Sequence, residues 1–191
     1  MTDETMLIAS LKRGDPTAFA SAFERYANRL YRLAVGLLAD EQQADAVVQE
    51  TFLALIKHID SFEGRASLGT WLYRVAYNKA MATLRKRAPL QDINDDDEDI
   101  MPNCFVDWDN VPERVLDTQE ARAMIDNAVQ TLSPALSAVF ILRDVEELSI
   151  KETAESLGIS TATVKVRLHR ARLTLRERLT IYFQDATIAT D

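Results

Sequence analysis

Between positions 165 and 178 the sequence carries Lys165, Arg167, Arg170, Arg172, Arg176 and Arg178, with Glu177 as the single acid among them. Guanidinium and ammonium groups strung along a helix suit phosphate oxygens and the acceptor edge of guanine. Just upstream, Glu146, Glu147, Glu152 and Glu155 are acidic, so the positive charge is concentrated on one element. Duplex DNA is the expected target. A second basic stretch, Arg65, Arg74, Lys79, Arg85, Lys86 and Arg87, contains no acid and is interleaved with Trp71, Tyr73 and Tyr77. Rings that stack on exposed bases beside cations that track phosphates suit single-stranded nucleic acid. Trp71 shares a face with Leu68 and Val75 and reads as core. Tyr73 and Tyr77 fit stacking or packing. A third group, Asp45, Gln49 and Glu50, falls on one side of a helix whose Val47, Val48 and Phe52 turn towards the core. By chemistry alone that is an ordinary amphipathic helix.

Enzyme chemistry finds little to work with. His58 and His169 lie on separate helices, and no nucleophile–base pairing or phosphate-binding glycine loop is visible. The acids between 95 and 99 lack the internal glycine of a calcium loop. No catalytic residue, metal or cofactor is expected. A lone Cys104 excludes an internal disulfide framework and suits a reducing cytoplasm. The amino terminus places acids before a short apolar stretch, unlike a secretory signal, and the longest apolar runs are too short to span a bilayer.

The elements that hold these groups read as helices throughout. With 47% apolar residues there is material for real cores, and only 5 Gly and 5 Pro argue against a sandwich or barrel. Asp15-Pro16 is a start signal, followed at helical spacing by Phe19, Phe23, Tyr26, Leu30, Leu33 and Leu37. Asp40 caps a second helix, with Ala44, Val47, Val48, Thr51, Phe52, Leu55 and Ile59 along one side. A loop around Gly64 follows, and Ser67 caps a third helix to about Arg87. Later, Ser133-Pro134 starts a helix carrying Leu136, Val139, Phe140 and Leu142. Ser149 and Glu152 form a capping box for a short helix ending at Gly158, and Ser160 opens a long one to about Phe183. A short capped helix, a tight glycine turn and a basic second helix are the pattern of a helix-turn-helix, here at 149–178. Ile150, Ala154, Leu157, Ile159, Val164, Leu168 and Leu175 supply its small core.

The net charge of −8 divides unevenly. Residues 1–88 carry 12 basic and 10 acidic side chains, residues 89–117 one basic against 10 acids, and residues 118–191 nine basic against 10 acids. Dense like charge with Pro89, Pro102 and Pro112 resists packing. The expected fold is therefore all-α, with two small helical domains joined by an acidic flexible linker. The predicted bounds are 1–88, a linker over 89–112, a second domain with the helix-turn-helix over 113–183, and a disordered tail over 184–191.

Three stretches resemble, in order and with matching spacing, the signatures of the extracytoplasmic-function sigma factors of bacterial RNA polymerase. They are Ala44-Asp-Ala-Val-Val-Gln-Glu-Thr-Phe52, the run from Phe62 through Gly64, Trp71 and Tyr73 to Asn78, and Thr163-Val-Lys-Val-Arg-Leu-His-Arg-Ala-Arg172. The resemblance covers residues 7–183. It implies a non-enzymatic subunit that steers core RNA polymerase to promoters, acting in the cytoplasm and monomeric when free. Asp45, Gln49 and Glu50 would then dock on the clamp of the largest polymerase subunit, with the flap as a further contact. Glu63, Gly64, Arg65, Ala66 and Ser67 would capture an unstacked base of the −10 element. Arg74, Tyr77 and Asn78 would contact the same element as it melts. Ser160, Thr161, Thr163, Lys165, Arg167 and Arg170 would read the −35 duplex. The linker would thread the polymerase's active-site and RNA-exit path, where acid suits a channel built for a polyanion. The family further implies a stress or envelope/metal response and an anti-sigma partner, often tethered to the membrane. Ala46 departs from the pattern, since the family commonly has an acid there. A stand-alone helix-turn-helix regulator would account for residues 118–183 only. It would leave the basic-aromatic helix and the acidic linker without a role.

Overall fold

The computed structural model describes residues 3–87 and 127–188, with side chains as far as Leu179. The expected linker over 89–112 and Cys104 therefore lie outside the described residues, as does the start of the second domain expected from 113. Every described regular element is helical.

Helix α1 (Asp3–Lys12) leads through Gly14 into α2 (Pro16–Leu38). The start of α2 follows its signal, since the Asp15 carboxylate accepts the Thr17 amide at 2.9 Å and Pro16 opens the helix. Helix α3 (Glu41–His58) begins likewise, with Asp40 accepting the Gln43 amide at 3.0 Å. A 3-10 turn (Ile59–Ser61) and a loop lead to α4 (Leu68–Arg87), where the Ser67 hydroxyl accepts the Thr70 amide at 3.0 Å. Helices α2, α3 and α4 pack on one another around Leu30, Leu33, Leu37, Val47, Leu55, Leu68, Leu72 and Tyr73. Arg87 closes the bundle's far corner. It donates to the Leu38 carbonyl at 3.0 Å and pairs with Asp40 at 2.5 Å.

The second unit contains α5 (Pro134–Phe140), a π-helical turn (Ile141–Val145), α6 (Ile150–Leu157) and α7 (Thr161–Ile188). Ala138, Val139, Leu142, Leu157, Val164, Leu168 and Leu175 form its core. The capping box of α6 has both halves, and Gly158 ends that helix at φ 69°. Only a residue tolerant of left-handed backbone turns the chain this tightly.

Four features go beyond the expectations or adjust them. Helix α1 had no readable signal, and it is held by tertiary contacts: Glu4 accepts the Leu68 amide at 2.6 Å, and Lys12 donates to the Phe62 carbonyl at 2.7 Å. Phe23, which follows the helical spacing of α2, is 50% exposed and meets Phe52 with the rings tilted and their centroids 4.9 Å apart. Trp71, expected in the core, packs against it while half-buried, with its ring edge-on to Phe62, whereas Tyr73 is the aromatic of α4 that is fully buried. Helix α7 continues past Phe183 to Ile188, through part of the expected tail.

The two units are packed together. Helix α4 packs on α6, and α2 packs on α5 and the π turn. The Ser137 hydroxyl donates to the Gly36 carbonyl at 3.0 Å, and a Cβ on Gly36 would collide with Ile141 Cδ1. The most polar contact is Glu146. It was read as a flanking surface acid, yet it is buried against the amino-terminal unit.

Candidate nucleic-acid interface

The docking triad is exposed on α3 as expected, with Asp45, Gln49 and Glu50 facing out and Val47 and Val48 facing in. Ala46 is also exposed. Glu50 is not idle, for it pairs with Lys79 of α4 at 2.7 Å. Sequence reasoning missed Leu53 and Ile56, which are 64% and 56% exposed further along the same helix. Large apolar side chains left in water beside an acidic group mark a contact surface. Both lie off the face that the helical spacing of α3 assigned to the core, and the sequence reading gave them no role.

The loop at 63–67 is held at both ends and open in the middle. Glu63, Gly64 and Arg65 are exposed, and Glu63 pairs with Arg65 at 2.6 Å. Gly64 has φ 72° and nothing within 4 Å of a would-be Cβ. Ala66 and Ser67 are half-buried where the loop joins α4. The loop borders a cleft of about 630 Å³ whose other walls include Ile8, Lys12, Phe62 and Lys151. An open cleft of that size beside two lysines is roomy enough for a base with its phosphate. Its far wall, however, belongs to the helix-turn-helix.

Along α4, Arg74 and Asn78 are exposed and Tyr77 is half-buried. Burial raises the Tyr77 phenol above its ordinary value, against the opposing charges of Arg167 and Arg85. Tyr77 of the −10 group and Arg167 of the −35 group thus lie close enough to feel each other across the two units. The Ser156 hydroxyl reaches the Thr70 carbonyl at 3.4 Å beside them. Helix α6 covers part of the face that α4 was expected to offer to DNA.

The recognition helix is built as expected. The Ser160 hydroxyl caps α7 by accepting the Thr163 amide at 3.0 Å, and the two hydroxyls lie 2.8 Å apart. Thr161 and Lys165 are exposed, and Thr163, Arg167 and Arg170 are partly exposed. Arg172 serves the fold instead: its guanidinium grips both Asp144 oxygens, at 2.8 and 2.7 Å, and so ties α7 to the π turn.

Glu146 is the focus of the joint between the units. Its Oε2 accepts Arg29 Nε at 2.5 Å and the Tyr73 hydroxyl at 3.0 Å. Its Oε1 accepts Arg32 Nε at 2.7 Å, and its carbonyl accepts Arg29 Nη2 at 2.9 Å. Burial alone would raise the carboxyl, yet the hydrogen bonds from Arg32 and Arg29 hold it below the ordinary glutamate value. Burial drives the Tyr73 phenol well above its ordinary value, reinforced by the adjacent carboxylate.

A compact basic-aromatic bundle joined to a helix-turn-helix defines a sigma-70-type promoter-recognition subunit. Residues 22–89 match the family of sigma-70 region 2, and residues 122–175 match sigma-70 region 4. The chain is 32% identical over 176 residues to the ECF RNA polymerase sigma factor SigW of Bacillus subtilis, covering 90% of this chain and 94% of that protein. It is 30% identical over 183 residues to the ECF RNA polymerase sigma-E factor of Haemophilus influenzae, covering 94% and 96%. The chain belongs to the extracytoplasmic-function sigma factors of RNA polymerase. Among solved structures, the sigma factor RpoE in complex with the anti-sigma factor NepR from Bartonella quintana superposes with a TM-score of 0.64 at 25% identity, over 85% of this chain and 97% of that one. CnrH, solved with the cytosolic domain of CnrY, shares the fold at a TM-score of 0.66 and 22% identity, over 94% and 99%.

Proposed function

We propose that this sigma factor docks on the clamp of core RNA polymerase through the exposed side of α3, with Asp45, Gln49 and Glu50 as its polar part and Leu53 and Ile56 as its apolar part. The loop at 63–67 takes an unstacked −10 base. Arg74, Tyr77 and Asn78 follow the melting strand, while Ser160, Thr161, Thr163, Lys165, Arg167 and Arg170 read the −35 duplex. In this reading the bounds 1–88, 89–112 and 113–183 divide the labour between melting, threading and duplex reading. The protein is non-enzymatic and works in the cytoplasm alongside the polymerase. An anti-sigma protein, of the kind seen bound to the Bartonella relative, holds it until release.

The observation that carries the reading is the exposure of the α3 face and of Lys165 while the core of each unit is closed. The test is transcription by sigma-free core polymerase on a pool of bacterial promoter fragments, with and without the protein. Transcripts that appear only with the protein support the reading, and their start sites give the recognised elements. If no transcript forms, no complex with core forms, and the protein alone shifts duplex DNA, a stand-alone regulator replaces it. Glu50→Lys is expected to weaken core binding in a titration without lowering thermal stability, since an exposed pair such as Glu50–Lys79 contributes at most about 1 kcal/mol. Normal affinity would remove the docking role of α3.

A further inference from the structure

Glu146 enters a setting that is built by the other unit. The chain leaves α5 through the π turn, and the Glu146 amide donates back to the Ile141 carbonyl at 2.8 Å. That turn points the side chain away from its own domain and between Arg29 and Arg32 of α2 and Tyr73 of α4. The acid's side chain is 1% exposed, whereas those of Arg29 and Arg32 remain 37% and 48% exposed. The cations are set at the surface of one unit, and the anion is the insert. Arg29 also lies over the Tyr73 ring, 6.0 Å from its centroid, which braces the guanidinium from the amino-terminal side alone.

An apolar joint would hold the units together with less penalty. Burying a charge pair gives up hydration that the pair only partly recovers, and apolar replacements of such pairs are often as stable or more so. Elsewhere the joint combines the close approach of Gly36 to Ile141 with single neutral hydrogen bonds from Ser137 and Ser156. Two arginines one turn apart, aimed with a phenol at a single point, answer a different demand, namely binding an oxyanion. A phosphodiester presents two anionic oxygens on one atom, as a carboxylate does, and guanidinium groups match both.

The surroundings indicate which oxyanion. Arg25, Arg29 and Arg32 recur at positions that share one helix face. The cleft of about 260 Å³ beside Arg25 and Arg29 is also lined by Ser67, Thr70 and Tyr73, with Glu4 of α1 on the same unit and Glu146, Glu147 and Glu152 brought by the second unit. Ser67 is the last residue of the base-capture loop, and Thr70 lies in the first turn of α4. A strand leaving that loop along α4 would bring its backbone to the arginines.

We infer that Arg29, Arg32 and Tyr73 form a phosphate cradle for single-stranded DNA on the amino-terminal unit, and that Glu146 occupies it as an internal substitute while the two units are closed. The inference rests on the sigma-factor reading and adds a contact outside the −10 group already assigned. Glu146 and a DNA phosphate compete for one place, so closing the chain and binding the strand exclude each other. Contacts of this type carry no base identity, so the cradle holds the strand without choosing it.

The experiment measures binding of a short fluorescent oligothymidylate to the full chain by anisotropy across a salt series. Glu146→Ala is expected to bind about tenfold tighter than the parent, because it vacates a charge-assisted site. Adding Arg29→Gln and Arg32→Gln to Glu146→Ala should abolish that gain and make the salt dependence shallower by about one phosphate contact. Circular dichroism checks that the helices persist, and small-angle scattering checks that the single and triple changes leave the units equally separated. Glu146→Gln, which keeps the side chain's shape, should fall between parent and Glu146→Ala. The inference is overturned if Glu146→Ala binds no tighter, or if its gain survives loss of both arginines. It is also overturned if an oligoglutamate of equal length displaces the oligothymidylate more effectively than unlabelled oligothymidylate does, which would make the cradle a site for an acidic peptide. Displacement by inorganic phosphate at matched phosphate concentration would show a site for the free ion and would overturn the strand assignment too. Transcription by the unaltered protein on core polymerase reports on the sigma reading separately, so the two cannot fail together unnoticed.

Discussion

Arg167 and Arg172 stand on the same helix with the same charge, and their surroundings assign them different work. Arg172 is held by both oxygens of Asp144, a side chain only 16% exposed. The pair of hydrogen bonds raises the guanidinium's pKa further, against the effect of burial. Removing it strands a largely buried carboxylate. Arg172→Ala should therefore lower stability by about 1–3 kcal/mol, seen as a lower melting temperature, with the unmelted protein still distinguishing promoters. Arg167 is partly exposed on the recognition face, beside Tyr77 in the closed chain. Arg167→Ala should leave core affinity and stability intact while reducing −35 discrimination by about 1–3 kcal/mol, the contribution of a good base contact. Run-off transcription on promoters that differ only at −35 checks this, and unchanged discrimination would remove Arg167 from the reading set. The sequence alone places all six cations of α7 in one group. The position of Asp144 in the π turn singles out Arg172 as the cation that serves the fold.

At the scale of elements, what was legible had local causes. Asp15, Asp40, Ser67, Ser149 and Ser160 announce helix starts through their own side chains, and each accepts the backbone amide that its position demands. Gly158 announces the turn of the helix-turn-helix by the same local logic. A Cβ there meets nothing within 4 Å, so Gly158→Ala isolates the backbone penalty of φ 69° from any clash. It is expected to cost about 1 kcal/mol, or about 2–4 °C in melting temperature; an unchanged melting temperature would mean that the turn relaxes. What was not legible had distant causes. Helix α1 is held because Glu4 and Lys12 bind backbone groups at either end of the loop at 63–67, a pairing across some sixty positions for Glu4. The π turn has no periodic signature, and Phe23 faces water because Phe52, rather than the core, is its partner. The same distance effect hid Leu53 and Ile56, since helical spacing reports which residues are apolar and not which neighbours are missing.

At the scale of the whole molecule, the two helical units pack against one another. Helix α6 covers α4, and the carboxylate of Glu146 joins them. The charge pattern of the sequence pointed to partners and gave no hint of this internal use, because Arg29, Arg32 and Glu146 are more than a hundred positions apart. The joint also makes a prediction about pH. Arg29 and Arg32 face Glu146 from α2 and Tyr73 faces it from α4, with Glu147 next in the chain. The guanidinium of Arg29 is raised further by Glu146 against burial, and the buried phenol of Tyr73 is raised far above neutrality, so within this hydrogen-bonded group it is the Glu146 carboxyl that changes charge in acid. Its pKa is depressed in the closed form, so closure binds fewer protons than opening does. The stabilisation is therefore complete above the ordinary glutamate value of about 4.3 and is lost as the pH falls through the depressed one. Scattering or energy transfer between labels on α2 and α7 should show a constant closed distance from neutral pH down to about 5 and opening only below about 4. Glu146→Gln should be more open at neutral pH and lose this acid step. An acid step of equal size in Glu146→Gln would move the titration to other carboxylates and take from Glu146 its part in holding the units together.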